Sequence, residues 1–153
     1  MSVVELSDEE NVVILAQTFT DSLADLDDRP RQVAVLKRIY ELLDSSAPQH
    51  YIYETVQGCD ELEVIRVGRD RRIFCRLVMG IPKGDKEYNV LFVFYVDTHN
   101  YRSAQLRTFD DAARQRLQEV TRLEDVGDVE AYLEELNTFR AEEIKERIDR
   151  MGE

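Results

Sequence analysis

The chain has 153 residues, 43% hydrophobic and 34% charged, with a formal net charge of −12; this suits one soluble domain with a real core. Sixteen arginines and four lysines face fifteen aspartates and seventeen glutamates, a lysine-poor, acid-rich balance that stays hydrated in concentrated salt and suggests a halophilic source. High salt screens charge to within about 3 Å at 1 M, which excludes long-range attraction to nucleic acid and leaves only close, hydrogen-bonded contact.

In chain order, Asn11–Ala16 reads as a short apolar strand after an acidic tail (Asp8, Glu9, Glu10). Thr18 or Thr20 is placed to cap a short helix through Leu26, with Phe19, Leu23 and Leu26 on one side. Asp27, Asp28 and Arg29 before Pro30 break the chain and restart it, since proline is acceptable in a first helical turn. Val33, Leu36, Ile39, Tyr40 and Leu43 then follow the helical period, and residues 44–48 end that helix. Leu62–Val67 and Arg72–Met79 alternate as strands do: Leu62, Val64 and Arg66 share one face, and Arg72, Phe74, Arg76 and Val78 share another. Residues 80–87 form a long hairpin loop, and Val90–Val96 is apolar throughout, as a central strand covered on both faces should be. Thr108 begins a capping sequence before a helix over Ala112–Val120, and Asp128–Leu136 and Thr138–Met151 read as acidic amphipathic helices. Val129, Tyr132, Leu133, Leu136, Phe139 and Ile144 supply their apolar faces.

Cys59 and Cys75 stand alone, without a CxxC or a histidine at ligand spacing, so no metal site and no cofactor are expected. Reduced thiols in a cytoplasmic protein are the expectation rather than a disulfide. The apolar run Val90–Val96 is too short to span a bilayer, and the N-terminus carries acids where a signal peptide carries lysines, so no membrane partner is expected.

Charge is distributed unevenly. Arg66, Arg69, Arg71, Arg72 and Arg76 fall within eleven residues, and residues 66–108 carry nine basic against four acidic side chains. Residues 109–153 carry seven against fourteen. Gathering like charges costs free energy unless an anion is held there, so the arginine cluster marks a candidate anion site. A solvated arginine-rich hairpin is the plainer alternative. The acidic C-terminal helices fold over the arginines, complete the core or form a dimer contact.

The expected class is therefore α+β: an N-terminal strand and helical hairpin packed on an antiparallel meander, plus C-terminal helices. Phe19–Leu23, Val35–Ile39, the segment Ile65-Arg66-Val67-Gly68 followed by Arg72-Ile73-Phe74, and Val90–Tyr95 followed by His99 and Tyr101 occur in the order and spacing of one known family. Over roughly residues 10–103 the chain resembles the RelE/ParE superfamily of type II toxin–antitoxin toxins. The resemblance implies a RelE-like domain over 1–108 with an acidic helical extension over 109–153. It also implies a cognate antitoxin protein as partner and mRNA on the ribosome as target. The corresponding activity is metal-independent endoribonuclease cleavage that inhibits translation. A non-catalytic protein-binding module of the same fold and a ParE-like gyrase inhibitor are the alternatives.

The RNA reaction needs a base for the 2′-OH, an acid for the leaving oxygen and cations for the phosphorus. By the resemblance, Arg72, Arg76, His99 and Tyr101 are the candidate catalytic residues, and Arg66, Arg69, Arg71 and Arg102 the candidate RNA-binding ones. An extra residue within Gly68–Arg72 leaves Arg71 and Arg72 as alternatives for one family position. Leu62 and Val64 stand where RelE-like enzymes place lysines.

Overall fold

A computed structural model describes residues 8–26, 28–69, 71–82, 86–97 and 103–152. Strand β1 (Asp8–Leu15) leads into helices α1 (Gln17–Ala24) and α2 (Arg29–Leu43). After a 3-10 turn at Pro48–Tyr51 come β2 (Glu54–Thr55), β3 (Glu63–Val67), β4 (Arg71–Ile81) and β5 (Lys86–Asp97). Helices α3 (Ser103–Thr121) and α4 (Val126–Glu135), strand β6 (Thr138–Phe139) and helix α5 (Ala141–Met151) follow. Among the described residues the sheet runs β2-β3-β4-β5-β1-β6. β1 is parallel to β5, and every other pair is antiparallel. The class is α+β, with the strand, helical hairpin, meander and C-terminal helices in the expected order.

The two-residue period of the strands sorts their apolar residues into two cores. On one face Val64, Phe74, Val78 and Phe92 meet Phe109 and Ala113 of α3 and Val129 and Leu133 of α4. On the other, Ile65, Ile73, Cys75 and Leu91 meet Phe19 of α1, Leu36 and Ile39 of α2, and Ile144 of α5. β5 contributes to both cores, which is why its sequence is apolar without alternation. Each fully buried large apolar side chain contributes about 1.5–3 kcal/mol. The acidic C-terminal helices thus complete both cores, α3 and α4 on one face and α5 on the other.

Several boundaries differ from expectation. Asp8, Glu9 and Glu10 are part of β1, paired in parallel with Lys86, Glu87 and Tyr88. Ladder pairing draws these acids into the strand, and Glu10 forms an ion pair with Arg140 at the start of α5. α1 is preceded by Ala16 with no side-chain cap, so neither Thr18 nor Thr20 opens it. The Thr18 hydroxyl instead donates to the Phe94 carbonyl at 2.5 Å. α3 begins at Ser103, which puts Thr108 inside that helix rather than at its start. Thr138 and Phe139 leave the expected final helix to pair with Ile14 and Val13 of β1, as β-branched and aromatic residues readily do. The Thr138 hydroxyl donates to the Leu133 carbonyl at 2.6 Å.

A half-buried amide relay joins α2 to the sheet. The Asn11 side chain donates to the Leu43 and Ser45 carbonyls at 3.0 and 2.8 Å and accepts from Asn89 at 2.9 Å. The Asn89 oxygen in turn accepts the Gly80 N–H at 2.8 Å. Gly80 has φ +65°, a conformation that disfavours a side chain.

Candidate functional site

The arginine cluster occupies the β3–β4 hairpin. Arg66 lies opposite Arg72 and Val67 opposite Arg71, and Gly68 (φ +62°) makes the turn. Strand alternation divides the cluster between the two faces of the sheet. Arg66, Arg72 and Arg76 share the face of Val64 and Phe74, whereas Arg71 shares the face of Val67.

On the first face, two like charges directly opposite each other would repel, and each guanidinium has found its own partner. Arg66 lies over the Tyr53 ring at 4.7 Å, and Arg72 approaches Glu54 of β2 at 3.6 Å. Arg72 borders a depression of about 350 Å³ together with Glu54, Gln57 and Phe74. Arg76 lies four residues further along β4, about 13 Å at the usual strand rise. It forms an ion pair with Glu61 at 2.9 Å and donates to the Glu61 carbonyl at 3.3 Å. Its Nε is buried without a hydrogen-bond partner among the described residues. Arg72 and Arg76 thus lie beside separate carboxylates, Arg76 in the closer pair.

α3 is tied across this face by one carboxylate. Asp110 accepts the backbone N–H groups of Asp60, Glu61 and Leu62 at 3.2, 2.7 and 2.9 Å. Arg114 stands 3.6 Å from the same carboxylate. Burial pushes the Asp110 pKa up, but the three amides and Arg114 outweigh it and hold the carboxyl below its ordinary value. Phe109 stacks on Tyr95 of β5 with ring centres 5.1 Å apart. The face carrying Phe74 and Val78 is therefore closed by α3 and α4, and the Arg66–Arg72 end borders the open depression.

The second face has a different character. Arg71, Arg69, Arg31, Ala34, Val67 and Gly68 line a depression of about 250 Å³. Arg71 Nη1 is buried with no hydrogen-bond partner among the described residues. Nearby on α2, Arg38 donates from Nε to the Arg66 carbonyl at 3.1 Å, pairs with Glu41 at 3.1 Å and lies over the Tyr51 ring at 4.9 Å. Among the described residues β2 pairs with Glu63 and Val64, and Arg38 satisfies the Arg66 carbonyl further along β3.

His99, Tyr101 and Arg102 lie outside the described residues, so these three expected contributors have no described geometry. His50 is exposed in the 3-10 turn. Among the described residues no group of histidine, cysteine or acidic side chains could hold a metal ion, and no helix is long and apolar enough to cross a membrane. Cys59 and Cys75 are free thiols. Burial, followed by the nearby Glu63 carboxylate, pushes the Cys75 thiol well up, against the smaller opposing effect of Arg76.

Sequence reading did not find Tyr53, Glu54, Glu61, Arg31 or Arg38 as neighbours of the cluster. The last two showed only as helical positions on α2. Helix and sheet packing bring all five to it. Comparison with protein-family models, with curated proteins and with solved structures finds no match for the chain. Fold and site together define an α+β protein in which helices cover both faces of the sheet and an arginine-rich hairpin projects at one end.

Proposed function

We propose that the chain is a non-catalytic, RelE/ParE-like binding module that engages another protein. The observation that carries this reading is the covered sheet face. α3 packs on β4 and β5 and α4 on β5, Phe74 and Val78 are buried in the core they share, and Arg76 is held by Glu61. RNA reaching the part-exposed Arg76 would have to displace Glu61, whose loop is anchored to α3 by Asp110. The test is controlled expression in a suitable host with the 5′ ends of ribosome-bound mRNA mapped. The expected result is no new cuts, with an unchanged pattern in Arg72→Ala. New cuts that disappear in Arg72→Ala would overturn the proposal.

One observation favours a second reading, a toxin acting as a ribosome-dependent mRNA endonuclease. Glu54 and Arg72 stand 3.6 Å apart beside an open depression. A carboxylate base and a guanidinium for phosphate are two of the groups that metal-free cleavage needs. On that reading Glu54→Gln, like Arg72→Ala, abolishes the cuts. A gyrase-inhibiting ParE-like role predicts growth arrest without cuts.

A further inference from the structure

We propose that the hairpin end formed by Arg31, Arg69 and Arg71 is the docking surface for an acidic segment of a partner protein. The segment would carry carboxylates interleaved with small apolar side chains. The inference rests on the binding-module reading and names the class of ligand.

Three observations support it. First, Arg69 and Arg71 have no carboxylate partner among the described residues, unlike Arg72 and Arg76 on the opposite face. Arg31 has a partner in Asp28 at 3.2 Å, but that pair is largely exposed and exchanges readily for a better anion. Second, Arg71 Nη1 is buried with no hydrogen-bond partner among the described residues. The guanidinium is therefore partly stripped of water with no ion pair to a described carboxylate, and a carboxylate on the remaining prongs of its fork supplies a counter-charge. Third, Ala34, Val67 and Gly68 line the same depression. A surface that mixes guanidinium groups with apolar contacts fits a segment that mixes carboxylates with small apolar side chains.

Apolar contact decides between a peptide and a nucleic acid. A short segment seated in the depression meets Arg31, Arg69 and Arg71, the Asp28 carboxylate 3.2 Å from Arg31, and the apolar Ala34 and Val67. A polynucleotide offers phosphates to the arginines but no small apolar side chain to set against Ala34 and Val67.

The experiment is fluorescence anisotropy with two labelled probes. One is a synthetic eight-residue peptide alternating glutamate and alanine; the other is an oligouridylate of equal charge. The buffer is one in which circular dichroism shows every variant folded. The peptide is expected to bind more tightly than the oligouridylate. The double variant Arg69→Gln with Arg71→Gln is expected to weaken peptide binding by about tenfold or more. Arg71→Lys, which keeps the charge and loses the planar fork, falls between the two. Arg122→Gln, at an exposed position after α3, leaves binding unchanged.

Absence of peptide binding, or equal binding by the double variant, would overturn the proposal. Tighter binding of the oligouridylate would assign the surface to phosphate instead. Sedimentation that shows self-association lost in the double variant would assign it to a second copy of the chain. The binding-module reading fails separately: mRNA cuts alongside intact, arginine-dependent peptide binding would sink that reading and leave this surface standing.

Discussion

Replacing Asp110 with alanine removes the acceptor for three backbone N–H groups in the β2–β3 loop. The three losses are unequal. The Asp60 side chain is 82% exposed, so water readily replaces the acceptor for that residue's amide. Leu62 is fully buried, and its amide, with that of Glu61, is left without a partner. At about 1–3 kcal/mol for each stranded group, the expected loss is about 3 kcal/mol. Asp110→Asn keeps one oxygen for Glu61 and Leu62 and turns a donor towards the Asp60 amide, for an expected loss of about 1.5 kcal/mol.

Urea denaturation at fixed salt reads both losses as a lower midpoint with an unchanged slope. pH supplies a second reading. The folded pKa of Asp110 lies below its ordinary value, so its contribution is complete above that ordinary value. It is lost as pH falls through the lower, folded one. The parent should therefore lose stability more steeply than Asp110→Asn below about pH 4. An alanine variant within about 0.5 kcal/mol of the parent would refute the reasoning, as would identical acid limbs for the parent and the asparagine variant.

Three further outcomes are expected. Ile144→Ala, at a fully buried position on α5, should cost about 3 kcal/mol in the same denaturation assay; a negligible cost would detach α5 from the core. Asn89→Ala strands the Gly80 amide and frees the Asn11 oxygen, with an expected loss of about 2 kcal/mol by urea midpoint. Native protein treated with a thiol reagent at pH 8 should be labelled first at Cys59, the less buried thiol. Cys75, with burial raising its pKa well above the ordinary value, should react only at the rate of unfolding; mass spectrometry of the labelled peptides distinguishes the two.

How much of this was legible in the sequence follows from where each piece takes its stability. β3 and β4 alternate because each has two distinct faces, and β5 is uniformly apolar because both of its faces are covered, so all three show in the pattern. α2 shows for the same reason, although Val35 and Leu42 are buried beyond the expected positions, because α5 also packs against this helix. β2 and β6 are two-residue strands that exist only through pairing with β3 and β1, and nothing local announces them. The parity that puts Arg72 with Arg76 was legible, since it needs only the strand period. Their placement beside Glu54 and Glu61 was not, because it depends on how the β2–β3 loop is held by Asp110 on α3. The gap between Arg31 on α2 and the hairpin closes only through helix-on-sheet packing.

The central claim is that α3 is a permanent cover on the sheet rather than a lid. Native-state hydrogen exchange of the amides between Phe109 and Val120 tests it most directly. The account predicts protection within about 1 kcal/mol of that of β4 and β5, with all three exchanging through global unfolding. Exchange of α3 several kcal/mol more easily than the strands beneath it would contradict the claim and reopen that face to a large ligand.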